Sequence, residues 1–133
     1  MDAFELHVVF DFIDPDDLWE MWLHGESHAA MTGSPASGEP VVGSEFSAWD
    51  GYISGENVVL EPTTLIVQSW RTTHFAEDDE DSRLELRFSE SDDGGSVLHL
   101  SHTNLPEGSG DDYLEGWQRH YFEPMHEFFE SDD

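Results

Sequence analysis

Histidine is the residue type in this chain best suited to acid–base or metal chemistry, and there are eight of them. His7, His24, His28, His74, His99, His102, His120 and His126 are scattered along the sequence. A metal site needs two or three ligands converging on one point, with oriented partners behind them. His24 and His28 have i,i+4 spacing, but Gly25 lies between them and spoils the helix that the spacing requires. His99 and His102 differ in strand parity and so face opposite sides of a sheet. No metal site is expected, no cofactor either, and with no cysteine in the chain thiolate chemistry is excluded. His102 is the one histidine that shares a face with apolar strand residues, Leu98 and Leu100. Two readings of it stand open: a general base or ligand hydrogen-bonder, or a buried histidine satisfied by Gln68 or Tyr121. Asp and Glu are too numerous here to single out a catalytic pair, and no glycine pattern of a nucleophile elbow accompanies any serine. No catalytic residue is assigned.

The aromatic residues carry the stronger signal. Trp22, Phe46, Trp70, Phe88, Trp117 and Tyr121 all sit at positions whose periodicity turns them inward. With Gln68, Leu86, Leu100 and His102 they make up an expected ligand cavity, apolar and aromatic with a few polar groups. The competing reading is that these rings fill the core and leave no space for a guest.

The elements that must position these residues follow from the hydrophobic pattern. Phe4, Leu6, Val8, Phe10 and Phe12 alternate with more polar residues and predict a first strand with an aromatic-rich buried face. Asp14-Pro15-Asp16-Asp17 reads as the capped start of a short helix through Leu18, Trp19 and Trp22, ending near Gly25. A second short helix is expected around 26–31. Thr32 to Pro40 is a loop, and Val41 to Trp49 a strand, with Asp50-Gly51 as a hairpin signal. Two strands follow, joined by a turn at Glu61-Pro62-Thr63. Gly51, Gly55 and Asn57 are the expected turning or bending positions. The second of these strands puts Ile66, Gln68 and Trp70 on one face and runs on to His74-Phe75. After an acidic loop at 77–81 come strands at 82–88 and 96–103. Leu114, Trp117, Tyr121, Met125 and Phe128 then recur at helical spacing, with Pro124 expected to kink that helix. The order is β-α-α-β-β-β-β-β-α, an α+β chain with one curved, six-stranded antiparallel sheet covered by the long C-terminal helix. Residues 1–133 make one domain.

Charge bears on habitat more than on activity. The chain has 31 acidic residues, four basic ones and a formal net charge of −27. Such a surface repels nucleic acid and anionic membrane. Its self-repulsion destabilises the compact state unless salt screens it, so the sequence predicts a protein from a halophile. No apolar run reaches the ~18 residues that a membrane span needs, and residues 1–5 show no leader-like pattern. A cytoplasmic location is the expectation.

The chain also resembles a known family. Asp50-Gly51-Tyr52-Ile53-Ser54-Gly55-Glu56-Asn57, Leu60-Glu61-Pro62 and Ile66-Val67-Gln68-Ser69-Trp70-Arg71 carry the likeness. So do the stretch from Gly95 to Pro106, Gly116-Trp117, Tyr121-Phe122-Glu123-Pro124-Met125, and Phe12 to Trp22 near the start. In order and spacing these are similar to the Aha1-like (activator of Hsp90 ATPase homologue) family of the START/Bet v 1-like superfamily. The resemblance implies a helix-grip fold, with the curved sheet holding the C-terminal helix and often leaving an apolar cavity. It implies three classes of function. The leading one is a non-catalytic binding module for a small hydrophobic or amphipathic molecule. The others are an interaction protein with a chaperone as partner, linked to stress response, and an enzyme of the polyketide-cyclase or hydrolase kind using His102 as base. Both monomer and homodimer fit the sequence.

Overall fold

Strand β1 (Asp2–Phe10) opens the chain in the computed structural model, which describes residues 1–130. It is an edge strand, antiparallel to the last strand of the sheet, β6 (Ser96–Leu105), in a register that sets Leu6 opposite Leu100. Phe10 is buried, and Phe4, Leu6 and Val8 pack against the core from half-buried positions. Phe12 lies beyond the strand end and is 67% exposed, so the inward alternation stops two residues earlier than the pattern suggests. The chain turns there to start α1 (Pro15–Leu23). The Asp14 side chain accepts from the Asp17 amide at 2.9 Å, and Pro15 occupies the first turn, where its missing N–H costs nothing. α1 ends at Leu23, close to Gly25 as expected; His24 is extended, and Gly25 begins α2 (Gly25–Thr32). A side chain there would collide with the Ser37 and Gly38 backbone.

Strand β2 is confined to Glu45–Ala48, because 41–44 form turns held by Asn57. β3 (Ile53–Glu61), β4 (Leu65–Thr72) and β5 (Ser82–Glu90) then complete the antiparallel sheet, in the order β1-β6-β5-β4-β3-β2. β4 ends at Thr72, and His74-Phe75 belongs to the following turn. The expected bends are present with distinct causes. Gly51 adopts φ 89° in the hairpin turn, and Asn57 sits at a register shift in β3. At Gly55 a Cβ would run into the Ser69 carbonyl oxygen and the Phe46 ring, which lies over the glycine.

The C-terminal helix departs from expectation in an informative way. It consists of α3 (Gly110–Gly116), a π-helical segment (Trp117–Phe122) and α4 (Glu123–Glu130). Pro124 is the second residue of α4, directly after the wide turns of the π-helical segment. At about 100° per residue, an unbroken helix would carry Phe129 about 120° round from Trp117, whereas one inserted residue brings it back to about 20°. The buried stripe is accordingly Trp117, Tyr121, Phe122 and Met125, with Phe129 packed on the core and Phe128 41% exposed. The core lies between the concave sheet face and these helices, the helix-grip arrangement of an α+β chain. No helix among the described residues is long and apolar enough to cross a membrane.

Candidate ligand cleft

The two ends of the layer between sheet and helix are filled differently. At one end, α1 and α2 close over the sheet. Trp19 donates to the Leu65 carbonyl at 3.1 Å, and Leu18, Leu23 and Met31 are fully covered. At the other end, no such helices cover the sheet, and a cleft of about 520 Å³ remains. The turn between β2 and β3 supplies Trp49 and Tyr52 to its wall, the first residue of β3 supplies Ile53, and Trp70 closes it from near the end of β4. His74 and Phe75 follow from the next turn. The helix contributes Asp112, Tyr113, Gly116, Trp117, His120 and Tyr121, with Pro106 and Ser109 at the rim. No Lys or Arg lines it.

The rings are interlocked. Trp70 and Trp117 face one another at 5.9 Å between centroids, Trp117 and Tyr121 at 4.5 Å, and Trp70 and Tyr113 meet edge to face at 5.2 Å. Pairs of this kind contribute about 0.5–1.5 kcal/mol each beyond their buried area, so the wall is stiff before any guest arrives. Arg71 braces the outside of the same corner. Its guanidinium donates to the Ala76 and Asp79 carbonyls and to the Asp81 carboxylate, and it lies 5.4 Å from the Phe75 ring.

Beneath the cleft two histidines are locked in neutral form. Ser82 Oγ donates to the Trp70 carbonyl at 2.7 Å, so it accepts from Nε2–H of His102 at 2.8 Å. The Trp117 indole N–H donates to the other nitrogen, Nδ1, at 3.1 Å. Both nitrogens are engaged, and burial lowers the His102 pKa to about 3. A residue in this state has no free lone pair with which to accept a substrate proton. His28 is the mirror case. Its Nδ1–H donates to the Trp22 carbonyl and its Nε2 accepts from the Tyr121 hydroxyl, each at 2.9 Å. Burial brings it down to about 4 against the opposing effect of the Trp22 carbonyl, and pushes the Tyr121 phenol upward.

Of the residues expected to line a cavity, Trp70, Trp117 and Tyr121 border the cleft. His102 lies directly behind Trp70, ring edge to ring face at 4.5 Å. Trp22 and Gln68 lie deeper, in an amide relay: Trp22 donates to Gln68 at 3.4 Å, and Gln68 donates to Asn57 at 2.8 Å. Asn57 in turn holds the Glu39 and Val41 carbonyls. Leu86, Phe88 and Leu100 are in the closed core, and Phe46 is half-buried over Gly55. His102 is satisfied by Ser82 and Trp117 rather than by Gln68 or Tyr121. Sequence reasoning passed over Trp49, Tyr52, Phe75 and Tyr113. Tyr113 was open to detection, since it precedes Trp117 by four residues on the same helix face. Trp49 and Tyr52 flank a turn, where periodicity says nothing about direction. Among the described residues no group of three or more His, Asp or Glu is arranged to hold a metal ion.

Residues 13–130 match the family described as activator of Hsp90 ATPase homolog 1-like protein. The chain is 31% identical over 120 residues to the activator of 90 kDa heat shock protein ATPase homolog 1 of Homo sapiens, covering 86% of this chain and 33% of that one. It is 27% identical over 115 residues to the Dictyostelium discoideum homolog, covering 86% and 30%. The chain thus spans about a third of the length of these relatives. Among solved structures, an Hsp90 activator from Plasmodium falciparum superposes with a TM-score of 0.80 at 23% identity, covering 94% of this chain and 93% of that one. The Aha1 dimer from Colwellia psychrerythraea gives 0.79 at 12% identity with full coverage of both chains. These two show a shared fold.

Proposed function

The chain belongs to the activator of Hsp90 ATPase homolog 1-like family, and from that premise we propose that it is a non-catalytic module binding a small hydrophobic or amphipathic molecule in the cleft. The observation that carries this reading is the aromatic cleft of about 520 Å³ at the end of the sheet that α1 and α2 leave uncovered. Pockets of this size, apolar with a few polar groups, are typical of small-molecule sites. The histidines beneath it are already satisfied, which argues against acid–base catalysis by His102.

Gly116 gives the test. It lines the cleft in helical conformation, and a Cβ placed there meets nothing within 4 Å. Gly116→Leu fills the space while improving helix propensity. A neutral naphthalene fluorophore, titrated at molar salt, is expected to bind saturably to the wild type and not to Gly116→Leu, with the variant's melting point equal or higher. No saturable binding by the wild type, or equal binding by both, overturns the reading.

A second reading is favoured by the likeness to the human activator: this domain contacts a chaperone of the Hsp90 class. Capture of the source organism's own chaperone at its working salt, with stimulation of its ATPase, tests that role in stress response. We further take the protein to be cytoplasmic and halophilic. The net charge of −27 and the absence of Asp or Glu among the buried described residues support the latter. Assembly as monomer or homodimer is open to sedimentation measurements at the same salt.

A further inference from the structure

Among the described residues, the Trp49 indole nitrogen is the one buried side-chain nitrogen or oxygen with no hydrogen-bond partner. Three of the other four tryptophans differ. Trp19, Trp22 and Trp117 each donate to a protein acceptor, at 3.1, 3.4 and 3.1 Å. A buried donor left unpaired is unfavourable, and where one persists its position needs a reason. The backbone sharpens the point. Asp50 and Gly51, at φ 56° and 89°, form the hairpin turn, closed by the Tyr52 N–H on the Trp49 carbonyl at 3.1 Å. Trp49 precedes that turn at φ 54°, a left-handed conformation in which a bulky residue is strained. The Asp50 amide is pinned to the Pro35 carbonyl at 2.9 Å. Trp49 is therefore held in an unfavourable conformation with an unsatisfied N–H. The result is a ring on the cleft wall, edge to face with His120 at 5.7 Å and Tyr121 at 6.3 Å.

We propose that Trp49 is the specificity-determining donor of the cleft, and that its ligand is a planar aromatic molecule bearing a neutral hydrogen-bond acceptor on its edge, of the aryl ketone kind. The proposal rests on the reading that the cleft takes a small molecule. Trp49, Trp70, Phe75, Tyr113 and Tyr121 all border the cleft, so a guest there meets aromatic groups on several sides, which favours an aromatic molecule. Asp112 at the cleft, the absence of a lining Lys or Arg and the net charge of −27 disfavour a carboxylate or phosphate. The Trp49 ring is half-buried on the cleft wall while its indole nitrogen is itself covered, so the side chain must turn its N–H toward the guest on binding. The acceptor then supplies the missing partner.

The test uses a matched pair, 2-acetylnaphthalene and 2-ethylnaphthalene, in equilibrium dialysis against the whole chain at molar salt. The wild type is expected to prefer the ketone by about tenfold, the worth of one net hydrogen bond. Trp49→Phe is expected to bind both alike. The wild-type indole N–H spectrum provides a readout independent of that variant's folding: the ketone should move the Trp49 resonance downfield and the hydrocarbon should not. Equal binding of the pair by the wild type, a preference surviving in Trp49→Phe, or an unmoved Trp49 resonance overturns the proposal and leaves the cleft reading intact. Binding of neither compound overturns both.

Discussion

The indole N–H of Trp117 donates to Nδ1 of His102 across 3.1 Å, joining the closing helix to β6. Because Ser82 spends its own proton on the Trp70 carbonyl, His102 must be the Nε2–H tautomer. Long-range proton–nitrogen correlation at neutral pH is expected to show that tautomer, and a Nδ1–H signal would refute the bond. Trp117→Phe removes the donor and leaves a buried acceptor unpaired. The expected loss is about 2–4 kcal/mol in denaturant unfolding, combining the unmet acceptor with the lost ring volume.

The same burial predicts a pH dependence of stability. His28 and His102 titrate at about 4 and about 3 in the folded chain, against 6.5 for an unconstrained histidine. Between those limits the unfolded chain holds the extra protons. Stability is therefore complete above about pH 6.5 and is lost as pH falls toward 4 and then 3. With two groups involved, the slope approaches about 2.7 kcal/mol per pH unit in the middle of that window. Unfolding should be followed at molar salt, so that carboxylate repulsion does not mask the slope. Replacing both residues by Gln is expected to flatten the profile, and an unchanged slope in that double variant would remove these histidines as its source.

The general architecture was legible because it rests on period. Alternation in β1, β5 and β6, the Asp14-Pro15 helix start and the Asp50-Gly51 hairpin are local signals, and each corresponds to an observed element. The cleft was legible only in part. Trp70, Trp117 and Tyr121 lie on regular elements, where spacing gives direction. Trp49 and Phe75 lie in turns, and their direction comes from backbone conformations that only the folded chain reveals. The π-helical segment was also out of reach. It adds a residue to the helix without changing composition, and so transfers the inward position from Phe128 to Phe129. A pattern read at constant period cannot detect a change of period.

Gly55 offers a check on the sheet geometry. Its hydrogen faces the Ser69 carbonyl and the Phe46 ring, with no room for a methyl group beside the backbone oxygen. Gly55→Ala is expected to cost at least about 2 kcal/mol, measured by urea unfolding, although its φ needs no glycine. Gly116→Ala should do the reverse. A Cβ there meets nothing, and a helical Gly-to-Ala change gains up to about 1 kcal/mol. Opposite signs at these two glycines would separate steric exclusion from backbone freedom. A neutral result at Gly55 would mean that β3 and β4 pair less closely there.

Salt provides the remaining lever, and it acts through Arg71. The chain carries −27 with only four basic residues, so self-repulsion opposes compaction wherever screening is weak. From about 0.1 M to about 1 M salt the Debye length falls from ~10 Å to ~3 Å, and the melting point is expected to climb steeply across that range. A melting point independent of salt would sink the halophilic reading. The cleft should respond earlier than the global fold. Loop 76–81 holds five acidic residues, and the Arg71 guanidinium binds its Ala76, Asp79 and Asp81 oxygens beside the cleft-lining Phe75. Arg71→Met removes those bonds and leaves the loop charges unopposed. Amide exchange in 75–81 is expected to accelerate in that variant while β5 and β6 keep their protection, and the difference should narrow in molar salt. Uniform acceleration across the sheet would instead make Arg71 a global stabiliser with no special hold on the cleft wall.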